Sequence, residues 1–148
     1  MAWLFSLNAE CGPSEDHARE LARLFDGWPS RVFRDGANWW CGVIPEGLSR
    51  SGVSSDAEAT AMTTAGQQLY ELLRTAPPVY RYALAGVETD EFRTYDELTA
   101  DGEDLAIFPG LVISDDIWAT VGKPTAFGAF VSGYRWIPYN GERYIPPR

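Results

Sequence analysis

The stretch Arg31-Val-Phe-Arg-Asp-Gly-Ala-Asn-Trp-Trp-Cys-Gly-Val-Ile44 decides the fold class. Two apolar and aromatic segments, Arg31–Arg34 and Ala37–Ile44, flank the dipeptide Asp35-Gly36. Asp-Gly tolerates the positive φ that a type I′ turn requires, so the pattern predicts a β-hairpin. A hairpin joins antiparallel strands, and it therefore argues against a doubly wound parallel sheet.

A second turn signal lies at Asn140-Gly141. It predicts another hairpin, between a strand-like aromatic stretch over Phe127–Tyr139 and the segment Arg143–Ile145. Pro138 lacks a backbone N–H, which places this strand at a sheet edge or at a bulge. Two hairpins interspersed with helices predict an α+β fold with a mainly antiparallel sheet.

Two principal helices are predicted to pack on this sheet. The first starts after Ser14 as N-cap and buries a stripe that ends at Phe25. The second spans about Asp56 to Arg74, opens with an S-x-x-E capping box at Ser55 and Glu58, and stops before two prolines. Its apolar stripe consists of Met62, Ala65, Gly66, Leu69 and Leu73.

Shorter segments complete the expected organisation. Residues 2–7, Val79–Val87, Leu105–Phe108 and Leu111–Ile113 are strand-like. Short additional helices are expected after Thr94, which forms a second S/T-x-x-E box with Glu97, and after Ser114. Phe5 and Phe130, with Trp3, Trp39 and Trp118, are the aromatic residues expected in the core. The aromatic residues Tyr134, Trp136, Tyr139 and Tyr144 are expected to be partly exposed near the second hairpin.

Length and composition indicate one domain over residues 1–148. A chain of 148 residues with 45% apolar residues is long and apolar enough for one core. No apolar run approaches the length needed to cross a bilayer, and the N-terminus lacks the basic start of a signal peptide. Cys11 and Cys41 form neither a disulfide framework nor a C-x-x-C zinc motif, so we expect a cytoplasmic protein with reduced thiols.

The negative charge is concentrated in one window. The chain carries a net charge of −9, and the residues between Glu88 and Asp116 carry all of it, because ten acidic residues there face only Arg93. These acids are Glu88, Asp90, Glu91, Asp96, Glu97, Asp101, Glu103, Asp104, Asp115 and Asp116. Such a field repels nucleic-acid backbone and attracts a basic partner.

No motif for catalysis, metal binding or phosphate binding stands out. His17, the one histidine, reads as a partly exposed residue in the first helical turn, and its six-residue separation from Cys11 does not indicate a catalytic pair. Asp101-Gly-Glu-Asp104 lacks the ordered ligand pattern of a calcium loop. We expect no cofactor and no metal. A carboxylate pair remains open, for example Glu46 with Glu88, Asp90 or Glu91, beside a stacking Trp39, Trp40 or Trp136.

The sequence favours a non-enzymatic, acidic protein-binding domain, analogous to inhibitors and immunity-type proteins that neutralise a basic protein partner. The residues assigned to partner binding are Asp90, Glu91, Asp101, Glu103, Asp104, Trp136 and Tyr139. Carboxylates would speed the encounter, and exposed aromatic rings would supply desolvated anchors. The alternative is a carboxylate-dependent hydrolase or a small-ligand-binding domain with an aromatic-lined pocket. Direct nucleic-acid binding and membrane binding are not expected, and the oligomeric state stays open.

Overall fold

The computed structural model describes residues 5–48, 53–87, 89, 92–102 and 104–146, and shows an α+β fold. Seven strands form one sheet in the order β2-β3-β1-β4-β5-β7-β6, and every neighbouring pair is antiparallel. The strands are β1 (Phe5–Glu10), β2 (Ser30–Asp35), β3 (Asn38–Val43), β4 (Tyr82–Val87), β5 (Val112–Ser114), β6 (Gly128–Val131) and β7 (Tyr134–Trp136). The helices are α1 (Glu15–Leu24), α2 (Asp56–Leu73), α3 (Tyr95–Leu98) and α4 (Asp115–Thr120), with a 3-10 turn at Leu105–Ile107.

Strand β1 lies inside the sheet, between β3 and β4, and contributes side chains to both faces. Successive side chains of a strand point to opposite faces, and the whole of β1 is buried. Phe5, Leu7 and Ala9 belong to the core beneath α1 and α2. Ser6, Asn8 and Glu10 lie on the other face of the sheet, so β1 places polar groups in a buried position that requires hydrogen-bond partners.

The principal helices α1 and α2 cover the first face of the sheet, which we call the helix face. Ser14 caps α1 by accepting a hydrogen bond from the His17 N–H, and Leu21 on its inner side is fully buried. The inner stripe of α2 contains Met62, Leu69 and Leu73, each at 0% exposure. Helical periodicity in the sequence thus marks the sides of both helices that enter this core.

Shorter elements cover the second face. Leu98 of α3, Leu105 of the 3-10 turn and Ile117 of α4 pack in one cluster with Tyr82 and Ile113 of the sheet. We call the segment 95–120, which contains these elements, the acidic layer. Its α3 begins with a complete capping box, in which Thr94 and Glu97 exchange side-chain and backbone hydrogen bonds.

The hairpin between β2 and β3 differs from the expected turn. Asp35 pairs with Asn38, so the two-residue loop is Gly36-Ala37. Gly36 has a φ of 61°, whereas Ala37 is not among the residues with positive φ. A type I′ turn needs positive φ at both loop positions, so the predicted Asp35-Gly36 type I′ turn is wrong, and a glycine in the first loop position is the pattern of type II′.

The expected hairpin at Asn140-Gly141 is also wrong. The C-terminal aromatic stretch contains two strands, β6 and β7, which turn around residues 132–133, and residues 137–146 form no strand. Gly133 has a φ of 88° and supplies the tight turn. Strand β7 lies between β5 and β6, and Pro138 follows its end. Ser-Gly is a weaker hairpin signal than Asn-Gly, and the sequence therefore pointed to the wrong turn.

Two further expectations differ in detail. Leu105–Phe108 contributes a 3-10 turn instead of a strand, because an apolar run of four residues does not distinguish the two. At the start of α2, Ser55 accepts from the Glu58 N–H at 3.1 Å, but the Glu58 carboxylate accepts from the Ser54 hydroxyl, so only half of the expected box forms. Residues 2–4 of the expected first strand, including Trp3, lie outside the described residues. No described helix is both long and apolar enough to span a bilayer.

Candidate functional site

A fully buried carboxylate lies at the end of β1. Glu10 is 0% exposed, and its Oε1 accepts hydrogen bonds from the Arg81 Nε at 2.7 Å and from the Gly12 N–H at 2.6 Å. Its Oε2 accepts from the Arg81 Nη2 at 2.5 Å. A charge removed from water is tolerated when it is paired and hydrogen-bonded, and this bidentate arrangement meets both conditions. The pair therefore fixes the position of Arg81.

Two further contacts hold the Arg81 guanidinium. Its Cζ lies 3.8 Å from the centroid of the Tyr95 ring, at the start of the acidic layer. On another side, a Cβ added at Gly12 would lie 3.3 Å from Nε, so the backbone there approaches closely. Since Nε and one N–H of Nη2 bind Glu10, the edge formed by Nη1 and the second N–H of Nη2 stays available. Among the described residues, no group is hydrogen-bonded to Nη1.

This arginine borders a cleft of about 420 Å³. Its lining combines the Tyr80–Tyr134 pair, whose rings stack at 4.2 Å, with Ser114, Asp115 and Asp116 at the start of α4. Short bonds fix this geometry: the Ser114 N–H donates to the Arg81 carbonyl at 2.9 Å, and the Tyr134 hydroxyl donates to the Tyr80 carbonyl at 2.7 Å. The cleft thus brings one oriented cation and two carboxylates together.

The two carboxylates differ in their surroundings. Asp115 lies 3.4 Å from the Arg135 Nε, and the Arg135 guanidinium also lies 3.8 Å over the Trp118 ring. Asp116 is exposed and forms no ion pair among the described residues. The Ser114 hydroxyl is engaged as the N-cap of α4, where it accepts from the Ile117 N–H at 3.2 Å. In this position it stabilises the start of α4.

The acidic layer has a uniformly negative exposed side. Segment 95–120 contains no lysine or arginine. Its described acidic residues are all exposed: Asp96, Glu97, Asp101, Asp104, Asp115 and Asp116. The nearest preceding cation, Arg93, lies 4.5 Å over the Phe108 ring and is half-buried.

The structure brings together only part of the residue set assigned to partner binding. Asp101 and Asp104 lie in the acidic layer, where the Asp104 Oδ1 accepts from the Ala106 N–H at 3.1 Å and caps the 3-10 turn. Asp90, Glu91 and Glu103 lie outside the described residues.

Trp136 and Tyr139 lie on the helix face, away from those two carboxylates. Their rings pack against Tyr70 of α2 at 5.3 and 5.0 Å, and both are half-buried. The Tyr139 hydroxyl donates to the Glu142 carboxylate at 2.8 Å. These contacts hold the C-terminal segment on α2, and Tyr134, expected to be partly exposed, is buried as well.

The two cysteines and the histidine differ in their exposure to solvent. Burial raises the pKa of the Cys41 thiol to about 12 and raises that of Cys11 further, so both are protonated at neutral pH. Both are free and buried, whereas His17 is exposed on α1. Among the described residues, no group of three or more His, Cys, Asp or Glu side chains is arranged to hold a metal ion.

Trp39 and Trp40, considered for sugar stacking, differ in exposure. Trp40 is 5% exposed, stacks on Phe33 at 6.2 Å and meets the Tyr82 ring edge-on at 5.4 Å. Trp39 lies beneath the Arg34 guanidinium at 5.7 Å. Of the carboxylates considered with them, Glu46 is exposed, and Glu88, Asp90 and Glu91 lie outside the described residues.

Sequence reasoning missed the Glu10–Arg81 pair. The residues are 71 positions apart, so no local motif connects them. One signal was present: Ser6, Asn8 and Glu10 alternate with apolar residues, which is the period of a strand with a polar face. Comparison with protein-family models, with curated proteins and with solved structures found no match to this chain.

Proposed function

We propose that this chain is a non-enzymatic binding domain whose acidic layer neutralises a basic protein partner, in the manner of an inhibitor or an immunity-type protein. The observation that carries the proposal is the exposure of every described carboxylate in segment 95–120, a segment without any lysine or arginine. The remaining chain is close to neutral, so the negative field comes from one side of the molecule.

The arginines beside the acidic layer do not remove its negative charge. Arg81 is paired with Glu10, and Arg135 lies between Asp115 and the Trp118 ring. Guanidinium groups held in this way leave the exposed carboxylates only partly compensated. A cationic partner would be attracted over several ångströms, with an association rate that falls as salt screens the field.

The experiment compares two charge-reversed variants with equal changes in charge. Asp96→Lys/Asp101→Lys alters the acidic layer, and Asp16→Lys/Glu20→Lys alters exposed positions of α1 on the helix face. Each pair includes one carboxylate from a first helical turn, so the loss of a favourable helix-end charge is matched. Partners are captured from host lysate at low salt, identified, purified and tested for association rate against ionic strength.

The expected result is a slower association and a weaker salt dependence for Asp96→Lys/Asp101→Lys alone. A reduction of about tenfold or more in the association rate at low salt is expected from the loss of steering. Equal rates for the two variants and the unmodified protein would refute steering by the acidic layer. Equal slowing in both variants would assign the effect to net charge and would equally refute it.

A further inference from the structure

Arg81 lines the 420 Å³ cleft, and its guanidinium is only half used by the bonds to Glu10. Arg81 uses one edge of its guanidinium for Glu10, and the second edge keeps two parallel N–H donors of the kind that bind a carboxylate in bidentate fashion. The Glu10 bonds, the Tyr95 ring and the Gly12 backbone already restrict this side chain. A ligand would therefore bind without first having to order it, which lowers the cost of association.

The surrounding charge excludes a simple anion as the preferred ligand. Glu10 offsets the charge of Arg81, and Asp115 and Asp116 line the same cleft. A ligand that carried only a carboxylate would meet repulsion from both aspartates. A ligand that also carried an ammonium group would pair with Asp116, which has no ion pair among the described residues.

We propose that this cleft binds a small zwitterion of the free amino acid class. Its carboxylate lies on the open edge of Arg81, and its ammonium group lies against Asp116. The uncharged remainder of the ligand contacts the rings of Tyr95 and Tyr134 that line the cleft. The volume falls within the usual range of small-ligand pockets, about 300 to 1,000 Å³. This site goes beyond the protein-binding role and does not depend on it.

The binding experiment is a titration of the isotope-labelled protein followed by NMR. The free amino acids with uncharged side chains are added one at a time up to millimolar concentration. At least one is expected to produce saturable shifts at the backbone amides of Ser114, Asp115 and Gly133, which lie at the cleft. Phenylalanine is compared with 3-phenylpropionate, which lacks the amine, and with 2-phenylethylamine, which lacks the carboxylate. The same truncations are made for any other amino acid that binds.

Two variants test the charge assignments. Arg81→Lys keeps a cation beside Glu10 but removes the planar fork, and Asp116→Asn removes the exposed carboxylate. Each is expected to weaken binding about tenfold or more. The matched control is Asp96→Asn, because Asp96 also lies exposed in the first turn of a short helix but does not line this cleft. It is expected to bind as the unmodified protein does.

Three outcomes would overturn the proposal. One is the absence of saturable shifts at the cleft with every amino acid in the panel. Another is binding of the singly charged analogues as tightly as the zwitterion, which would indicate ring contacts alone. The last is unchanged affinity in Asp116→Asn, a variant that breaks no side-chain hydrogen bond or ion pair among the described residues. Neither Asp96 nor Asp101 lines the cleft, so the partner experiment can fail without affecting this one.

Discussion

The Tyr70 hydroxyl bonds to backbone groups of β4 and of the segment before β5, where the pairing of these two strands ends. Among the described residues, strand β5 pairs with β4 only at Tyr82 and Ala83, so the Ala85 amide has no strand partner on that side. It donates instead to the Tyr70 hydroxyl at 2.9 Å, and this hydroxyl donates to the Gly110 carbonyl at 2.7 Å. One phenol thus satisfies two backbone groups in the core. The Tyr80 hydroxyl is also buried but has no hydrogen-bond partner among the described residues.

These two tyrosines give opposite predictions for the same chemical change. Tyr70→Phe leaves a buried amide and a buried carbonyl unsatisfied, and we expect it to lower the free energy of unfolding by about 1–3 kcal/mol. Tyr80→Phe removes a hydroxyl that gains nothing in the folded state, and we expect a change near zero or a slight gain in stability. Urea unfolding of both variants measures the difference. Similar losses of unfolding free energy in the two variants would show that the hydrogen bonds of the Tyr70 hydroxyl do not stabilise the fold.

Glu142 connects the C-terminal segment to α2 by hydrogen bonds. The Glu142 N–H donates to the Thr63 hydroxyl at 2.9 Å, and its carboxylate accepts from the Tyr139 hydroxyl. Burial raises the pKa of the Glu142 carboxyl, and the bond from Tyr139 opposes this rise without cancelling it. The folded protein therefore holds a proton on Glu142 to a higher pH than the unfolded chain does.

This raised pKa gives the stability a defined pH dependence. The contribution of Glu142 is fully present below the ordinary glutamate value of about 4.3, and it is lost as pH rises through the raised value. Glu142→Gln cannot lose a proton, so we expect its stability relative to the unmodified protein to increase between about pH 4 and pH 7. Urea unfolding at both pH values checks this. Glu20→Gln, at an exposed position of α1, is the control, and a pH-independent difference for Glu142→Gln would contradict the expectation.

Elements whose signals are local were predictable, and those fixed by distant contacts were not. The capping bonds of Thr94 and Ser114 reach only three residues along the chain, so sequence spacing was sufficient. Tyr70 and Gly110 are 40 residues apart, and nothing in the local sequence around either residue predicts the hydrogen bond between them. The residues predicted to bind a partner depend on both kinds of signal. Charge density in the sequence groups Asp101 and Asp104 in one acidic segment, whereas the face on which Trp136 and Tyr139 lie depends on how β7 pairs with β5.

The two faces of the sheet carry different arrangements of charge. The acidic layer carries exposed carboxylates on one face of the sheet, and α1 carries an intrahelical ion pair between Glu15 and Arg19 at 2.6 Å on the other. Like charges on one surface destabilise the compact state through mutual repulsion. The same residues that would attract a partner thus cost stability in its absence.

This cost predicts that salt stabilises the isolated protein. Raising NaCl from about 0.01 M to 0.2 M shortens the screening length to roughly 10 Å or less, and we expect a gain of about 1 kcal/mol or less in the free energy of unfolding. The gain should shrink in Asp96→Asn/Asp101→Asn more than in Asp16→Asn/Glu20→Gln, because the former pair belongs to the acidic layer. Thermal unfolding across the salt series measures it, and equal gains in both variants would show that repulsion is not concentrated there.

The position of β1 between β3 and β4 has a consequence for synthesis on the ribosome. Its partner β3 follows after α1 and β2, but β4, on its other side, emerges only after α2. A nascent chain therefore presents one unpaired edge of β1 while about forty further residues are added, and such edges invite association between chains. Ser6, Asn8 and Glu10 place polar side chains on one face of β1, and their folded-state partners Thr89 and Arg81 come later in the chain. We expect this polar row, which is buried in the folded protein, to limit association between nascent chains before β4 is made.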